Sequence, residues 1–308
     1  MPGESSYDSP KLLHQAGSPP ARLRFVEIEE LLDRGGHLPV RCNLEYEDGT
    51  PAGSWVVKPA VSLGDGENRE EASVLAELGG AEVAAWMGVP TPAIGLLLMP
   101  SGLTHDYFEA HGACESKLRG IFGVNEGRIA FCSRFLEDSA EWLENRHAQG
   151  QHGREVLQAY GPAVMLLDAY ILHDDRTPEK PNVLEWRHRL VPIDHGSAFM
   201  GLDRDGGAIA QHIAAPRLHQ LWRRHVFCSA LSRARYDLDI DEAIETVAGV
   251  TDSVLEALVA SWPDELRQAR GRSGGILVDE MAAALAARRQ HAKTIGDALV
   301  AYLRPSNG

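Results

Sequence analysis

Residues 168–199 read DAYILHDDRTPEKPNVLEWRHRLVPIDHGSAF. The end of an apolar helix runs into a polar loop, then into two short apolar runs, Val183–Trp186 and Leu190–Ile193, joined through Arg187-His188-Arg189. Such runs around a polar connection predict a β-hairpin. The hairpin returns Asp194 to the neighbourhood of Asn182, just downstream of Asp174 and Asp175. Asp194 stands at a strand end before His195-Gly196, where glycine lets the backbone turn sharply and expose the carboxylate.

Working outward, residues 154–173 form a long, largely apolar helix before the loop. Helices dominate 211–308, among them 251–261, 264–270 and 278–303. The front of the chain reads differently. Residues 24–33 suggest a short strand passing into a helix turn, broken at Gly35-Gly36. Residues 39–47 and 54–58 alternate as two strands of an antiparallel hairpin, the second stopped by Pro59. Residues 67–87 carry Val74, Leu75, Leu78, Ala81, Ala85 and Trp86 at helical spacing. Gly88, Pro90 and Pro92 forbid continuation. Residues 93–99 and 128–136 read as buried strands. The expectation is an α+β chain with a β-rich front and an α-rich back, two lobes with a cleft between them, where ligands usually lie.

The chain has 308 residues, 44% hydrophobic and 24% charged, with a net charge of −14. That length supports one large domain or two lobes, each with its own core. An acidic chain is a poor non-specific binder of nucleic acid, whose phosphates repel it. No run of 18 apolar residues is present, so no transmembrane helix is expected. The first 20 residues lack the pattern of a signal peptide and, rich in Ser and Pro, read as a disordered tail. Cys42, Cys114, Cys132 and Cys228 lie far apart, which argues against a zinc site or disulfide framework and sets a reducing cytoplasm as the default.

Phosphoryl transfer needs a carboxylate to accept the nucleophile's proton, with an amide and a second carboxylate to hold metal on the nucleotide phosphates. Asp175, Asn182 and Asp194 are candidates. Lys58 ends the apolar strand Trp55-Val56-Val57, anchored in a sheet while its ammonium reaches a cleft as a compact charge for phosphate oxygens. A carboxylate must position it. The helix offers Glu77 and Glu82, and position on the helical wheel favours Glu82. Taken singly, each group has a commoner meaning: a surface lysine, a turn, a solvated helix end. Their order is what points to chemistry: strand Lys, helix Glu, long helix, Asp loop Asn, hairpin, Asp-x-Gly.

Three stretches carry a resemblance: WVVKP at 55–59, AELGGAEVAAWMGVPTPA at 76–93, and HDDRTPEKPNVL at 173–184 followed by LVPIDHGSAF at 190–199. The chain resembles the HipA-like kinases, within the protein-kinase-like superfamily that also holds the phosphoinositide kinases. TDSVLEALVASWPDEL at 251–266 echoes the C-terminal helices of the same relatives. The resemblance implies a protein-kinase-like two-lobed fold: a disordered tail over 1–20, a nucleotide-binding lobe over 21–137 and a catalytic lobe over 138–308. It implies ATP and Mg²⁺ as cofactors, Lys58 on the phosphates, Glu77 by family spacing as its partner, and Asp175 as base, favoured over Asp174 by the adjoining Arg176. Asn182 and Asp194 would hold the metal. Gly35 and Gly36 would be a weak counterpart of a phosphate-covering loop. Phe135 lies in the connecting strand 131–137, whose backbone would meet adenine. The acceptor would be a protein Ser/Thr or a small-molecule hydroxyl. One departure is visible. Many kinase-like loops place the metal-binding Asn five residues after the catalytic Asp, where this chain has Lys180. Rival readings are a nucleotide-binding pseudokinase, a kinase-like site transferring a nucleotidyl group, and an HD-type metal phosphohydrolase using His173, Asp174, Asp194 and His195.

Overall fold

The computed structural model describes residues 12–32, 38–60, 70–109, 115–143, 150–200, 215–233, 240–270 and 276–304. Gly35 and Gly36 lie outside the described residues, as does Cys114. Five strands close a barrel: β1 (Ala21–Leu31), β2 (Val40–Tyr46), β3 (Pro51–Lys58), β4 (Ile94–Leu98) and β5 (Ile129–Arg134). They neighbour one another in the order β1-β2-β3-β5-β4, every described pair antiparallel except β1 with β4.

The expected passage from strand to helix turn at 24–33 is one continuous strand. Its core-facing residues Leu23, Phe25, Ile28 and Leu31 are spaced two, three and three apart, which imitates a helix. Register shifts between Phe25 and Glu27 and between Ile28 and Glu30 explain the spacing. Each bulge adds a residue, which restores the same face to the barrel interior.

Alternation along the strands divides two cores. Val57, Leu97, Ala130 and Cys132 fill the barrel. Ile94, Leu96 and Phe131 turn the other way into a larger core. That core is built on α1 (Glu70–Trp86). Two short helices the sequence reading omitted, α2 (His105–Glu109) and α3 (Glu115–Asn125), lie between β4 and β5. Because α1 shares its core with the C-terminal helices, packing is not partitioned where strand-rich sequence gives way to helix-rich sequence.

The C-terminal half opens with β6 (Ala140–Glu141) and α4 (Gln151–Ile171). The predicted hairpin forms as β7 (Val183–Trp186) and β8 (Arg189–Pro192), with β6 added at its edge. Then come α5 (Ala215–Arg224), α6 (Cys228–Arg233), α7 (Asp241–Gly249), α8 (Asp252–Ala260), α9 (Asp264–Arg267), α10 (Leu277–Arg289) and α11 (Ala292–Leu303). The single helix expected over 278–303 is broken at Gln290-His291, where His291 leaves helical geometry at φ −111. Its halves pack differently: α10 reaches α1, α11 reaches α4, and both touch α7. Arg288, wholly buried, donates to the carbonyls of Ala169 and Tyr170 in the last turn of α4, groups with no partner inside the helix. Among the described residues no helix is long and apolar enough to cross a membrane.

Residues 12–20 belong to the stretch expected to be a disordered tail, yet they are pinned. Leu13 bridges to Pro92. His14 Nε2 donates to Glu82 Oε2 at 2.6 Å, and the Gly17 N–H donates to Glu82 Oε1 at 2.5 Å. The buried carboxylate of Glu82 needs donors, and this segment supplies them. Residues 1–11 lie outside the described residues.

Candidate active site

Lys58 is the last residue of β3, and its ammonium leaves the barrel wall toward α1. It donates to Glu77 Oε1 at 2.6 Å and to Asp194 Oδ1 at 2.9 Å. Glu77 Oε2 in turn accepts the backbone N–H of His195 at 2.8 Å. One carboxylate from the middle of α1 therefore ties the strand lysine to the loop after β8. Burial alone would lower the Lys58 ammonium, but the Asp194 and Glu77 carboxylates outweigh it, so the net direction is up and the charge is fixed. Burial likewise opposes ionisation of Asp194, and Lys58 and Lys180 override it, holding that carboxyl far below the usual range.

The sharp turn falls on Asp194 itself, at φ 62, while Gly196 is not among the left-handed glycines. Aspartate is among the few side chains that tolerate this region. Gly196 supplies space instead: a Cβ there would lie 3.0 Å from Ser73 Oγ and 3.4 Å from Glu77 Oε1. Gly80 does the same from the other side, where a Cβ would stand 2.5 Å from His195 Cβ. A glycine inside a helix costs about 1 kcal/mol relative to alanine. Here it lets the loop after β8 lie directly on α1.

The loop from 173 to 182 is held from beneath. α4 ends with Leu172 in the left-handed region, φ 53 and ψ 49, and the His173 N–H closes back on the Asp168 carbonyl at 2.8 Å. Asp168, inside the last turns of α4, is fully buried. It accepts from Arg176 Nε at 2.7 Å and Nη2 at 3.3 Å. It also accepts from His225 Nε2 at 3.0 Å. His225 Nδ1 accepts the Phe227 N–H at 3.1 Å, which fixes the proton on Nε2. Burial opposes the Asp168 charge, but Arg176 and His173 hold the carboxyl well below its ordinary value. Arg176 Nη1 reaches across to the carbonyls of Asn182 and Ile193, so one guanidinium clasps both ends of the hairpin. His173 Nε2 donates to the Asp194 carbonyl at 2.9 Å. Arg176, read as a neighbour favouring Asp175, is thus the strut of the loop. Asp168 and His225 were missed by sequence reasoning.

Asp175 and Lys180 face the open side. The Lys180 ammonium donates to Asp175 Oδ2 and stands 3.5 Å from Asp194 Oδ2. Asn182, at φ 48, has its Nδ2 3.5 Å from the Asp175 carbonyl, the outer limit of a hydrogen bond. Lys58, Glu77, Asp194, Asp175 and Lys180 therefore form one continuous chain of charges, with Asn182 beside it. Glu82, the helical-wheel choice for partner of Lys58, is instead committed to the N-terminal segment. Phe135 lies just beyond β5. Its N–H goes to the Ser54 carbonyl at 3.1 Å, and its ring carries the Arg41 guanidinium 3.8 Å from the centroid. The edges of 131–134 are paired with β3 on one side and, through Ser133, with β4 on the other.

Beside these charges lies a small cleft, open to solvent, with Ile94, Phe131, Ser133, Ile193, Glu77 and Asp194 in its walls. Mostly apolar walls with a few convergent polar groups suit a small-molecule site. The hydrolase reading does not survive the geometry. His173 turns its Nε2 to the Asp194 carbonyl, and His195 is buried against α1 at Gly80. Among the described residues no group of three or more His, Cys, Asp or Glu side chains converges to hold a metal ion. Mg²⁺ asks for less, since it keeps several waters and takes one or two carboxylates together with substrate phosphates. Asp194 supplies one such carboxylate, its Oδ2 facing the half-exposed Lys180 ammonium at 3.5 Å, so the donor chemistry fits.

The chain matches no protein-family profile, and no curated protein is significantly similar to it in sequence. Among solved structures it is similar to the crystal structure of a Helicobacter pylori proinflammatory kinase, CtkA, at 10% identity and a TM-score of 0.48, over 94% of this chain and 100% of that one. A likeness of that degree carries no argument, and the site stands on its own geometry.

Proposed function

We propose that the chain is an ATP- and Mg²⁺-dependent phosphotransferase of the HipA-like kind, moving the γ-phosphate to a hydroxyl on a protein Ser/Thr or a small molecule. The observation that carries this reading is the Lys58 ammonium bound at once by Glu77 and Asp194. It joins a sheet-anchored cation to an acidic loop from the helical half at the edge of a cleft. On this reading residues 21–137 form the nucleotide lobe and residues 138–308 the catalytic lobe. The adenine enters between the outer face of β5 and the β8 loop. With the Phe135 N–H committed and the Leu136 and Glu137 carbonyls accepting from Ser139 and Trp186, the N–H groups of 136–137 would meet its edge.

Each side chain then has a task. Lys58, held by Glu77, contacts phosphate oxygens. Asp194 and Asn182 would hold the metal, which would offset charge on the transferred group. Asp175 orients the acceptor hydroxyl and takes its proton. Arg176 and Asp168 keep the loop in register. The test is transfer of radiolabelled γ-phosphate from ATP, screened against lysate proteins and metabolite pools. Asp175→Ala and Asp194→Ala should abolish transfer while thermal unfolding stays cooperative. Normal turnover in both would overturn the proposal.

A second reading, a nucleotide-binding pseudokinase, is favoured by one observation: Lys180 lies on the carboxylate assigned as base. Nucleotide binding without transfer to any acceptor would establish it.

A further inference from the structure

Kinase-type sites commonly place two divalent cations on the triphosphate, one held by the Asp of the Asp-x-Gly turn and the other by the amide of the catalytic loop. In this chain the loop position five residues after Asp175 is Lys180, which cannot ligate a metal and brings a positive charge of its own. Its ammonium donates to Asp175 Oδ2 and stands 3.5 Å from Asp194 Oδ2. Asp194 thus has an ammonium on each oxygen, Lys58 at Oδ1 and Lys180 at Oδ2. A divalent cation bound between Asp175 and Asp194 would have to share the space of the Lys180 head group, and like charges that close repel strongly.

We propose that Lys180 is a built-in replacement for the second metal ion: a phosphate-binding side chain that leaves the site with a single divalent cation, on the Asp194 side. The inference rests on the phosphotransferase reading above. Without nucleotide, the ammonium is parked on the two aspartates. With nucleotide, it turns to the phosphate oxygens and frees Asp194 Oδ2 for the metal. Three features of the chain suit this role. The Lys180 side chain is 43% exposed, so it has room to move. Its backbone is held firmly, since the Lys180 N–H donates to the Thr177 carbonyl at 3.1 Å and the Thr177 N–H to the Lys180 carbonyl at 3.0 Å. Pro181 follows it and limits the chain further. The anchor is rigid while the tip is free, as a phosphate-binding lysine requires.

The experiment uses the full chain with a non-hydrolysable ATP analogue. Calorimetry gives nucleotide affinity, and electron paramagnetic resonance counts bound Mn²⁺. Wild type should bind one Mn²⁺ per nucleotide. Lys180→Met should keep that count and lose nucleotide affinity about tenfold or more, the scale of a lost hydrogen bond to a charged group. Lys180→Arg should restore most of the affinity. Lys180→Asn should raise the count to two. Two Mn²⁺ in wild type, or unchanged affinity in Lys180→Met, overturns the Lys180 proposal and leaves the phosphotransferase reading standing. No nucleotide binding by folded wild type overturns that reading, and the Lys180 proposal with it.

Discussion

Lys58 and Asp194 are 136 positions apart in the chain and 2.9 Å apart in space. Glu77 completes the join, with one oxygen on the ammonium and the other on the His195 N–H. Breaking a buried ion pair leaves an uncompensated charge and costs about 3–5 kcal/mol, whereas replacing both partners with apolar groups is often neutral. Lys58→Met alone should therefore destabilise strongly, because Glu77 is only 3% exposed. Lys58→Met with Glu77→Gln, which removes the buried charge yet keeps an acceptor for the His195 N–H, should recover most of that loss and still show no phosphoryl transfer. Urea unfolding and the transfer assay, run on the same preparations, separate the two effects. A double variant no more stable than the single one would sink the argument.

The Asp168–Arg176 pair yields a second prediction. Arg176 is buried and bonds to Asp168, Asn182 and Ile193. Asp168→Asn removes the charge under this guanidinium and should cost about 3–5 kcal/mol. The local effect should be specific. Backbone amides of 175–182 should lose hydrogen-exchange protection, while those of β2, hydrogen-bonded to β1 and β3, keep theirs. Uniform loss across the chain would show the pair to be general scaffolding rather than a support of this loop.

The glycine pair at 79–80 allows a comparison within one helix turn. Alanine should gain about 1 kcal/mol of helix propensity at either position. At Gly79 the new Cβ would meet Met281 Sδ at 2.6 Å, near the end of a flexible side chain, and the Phe199 ring at 3.2 Å. At Gly80 it would meet His195 Cβ at 2.5 Å, on the chain that carries Asp194. Overpacking costs about 1–3 kcal/mol. Gly80→Ala should thus be the less stable variant and the one that weakens nucleotide binding. Equal behaviour of the two would mean that the Asp194–His195 end of the loop does not depend on its seat on Gly80.

The residues that were legible in the sequence sit at element boundaries. Lys58 is marked by an apolar strand stopped at Pro59, and Asp194 by LVPI before a glycine. The choice between Glu77 and Glu82 was not legible from helical phase, because α1 is buried on nearly every face. A helix without a wet side gives the wheel nothing to orient by. Barrel closure was hidden for another reason: β1 and β4 pair in parallel over 21–23 and 95–97, a contact between distant segments that leaves no local pattern. Asp168 did leave one, a lone acid in the apolar run AVMLLDAYIL, and a buried charge of that kind signals a partner. His225 has no such mark, since its role depends on where α5 returns to α4. Lys180 was legible as a departure in spacing, but its position between two carboxylates needed coordinates.

The last prediction concerns pH. His225 is buried, and burial lowers its pKa more than its bond to Asp168 raises it, so the net direction is down. In the unfolded chain a histidine titrates near 6.5. Between that value and its lower folded pKa, the unfolded state binds the extra proton, so stability falls as pH falls. One such group contributes a slope of up to about 1.4 kcal/mol per pH unit, starting near pH 6.5. Asp168 acts lower down. Its folded pKa is depressed, so its contribution is complete above the unfolded value of about 3.9 and is lost as pH drops below it toward the folded value. Stability should therefore decline gently below pH 6.5 and more steeply below about pH 4. Urea unfolding of His225→Asn, which keeps a donor for Asp168 but does not titrate, should reduce the slope of the upper part of that curve to the share of His195, which burial also lowers, and leave the acid limb in place. If the variant keeps the wild-type slope between pH 6.5 and 5, the imidazole under the loop is not the group that charges on unfolding.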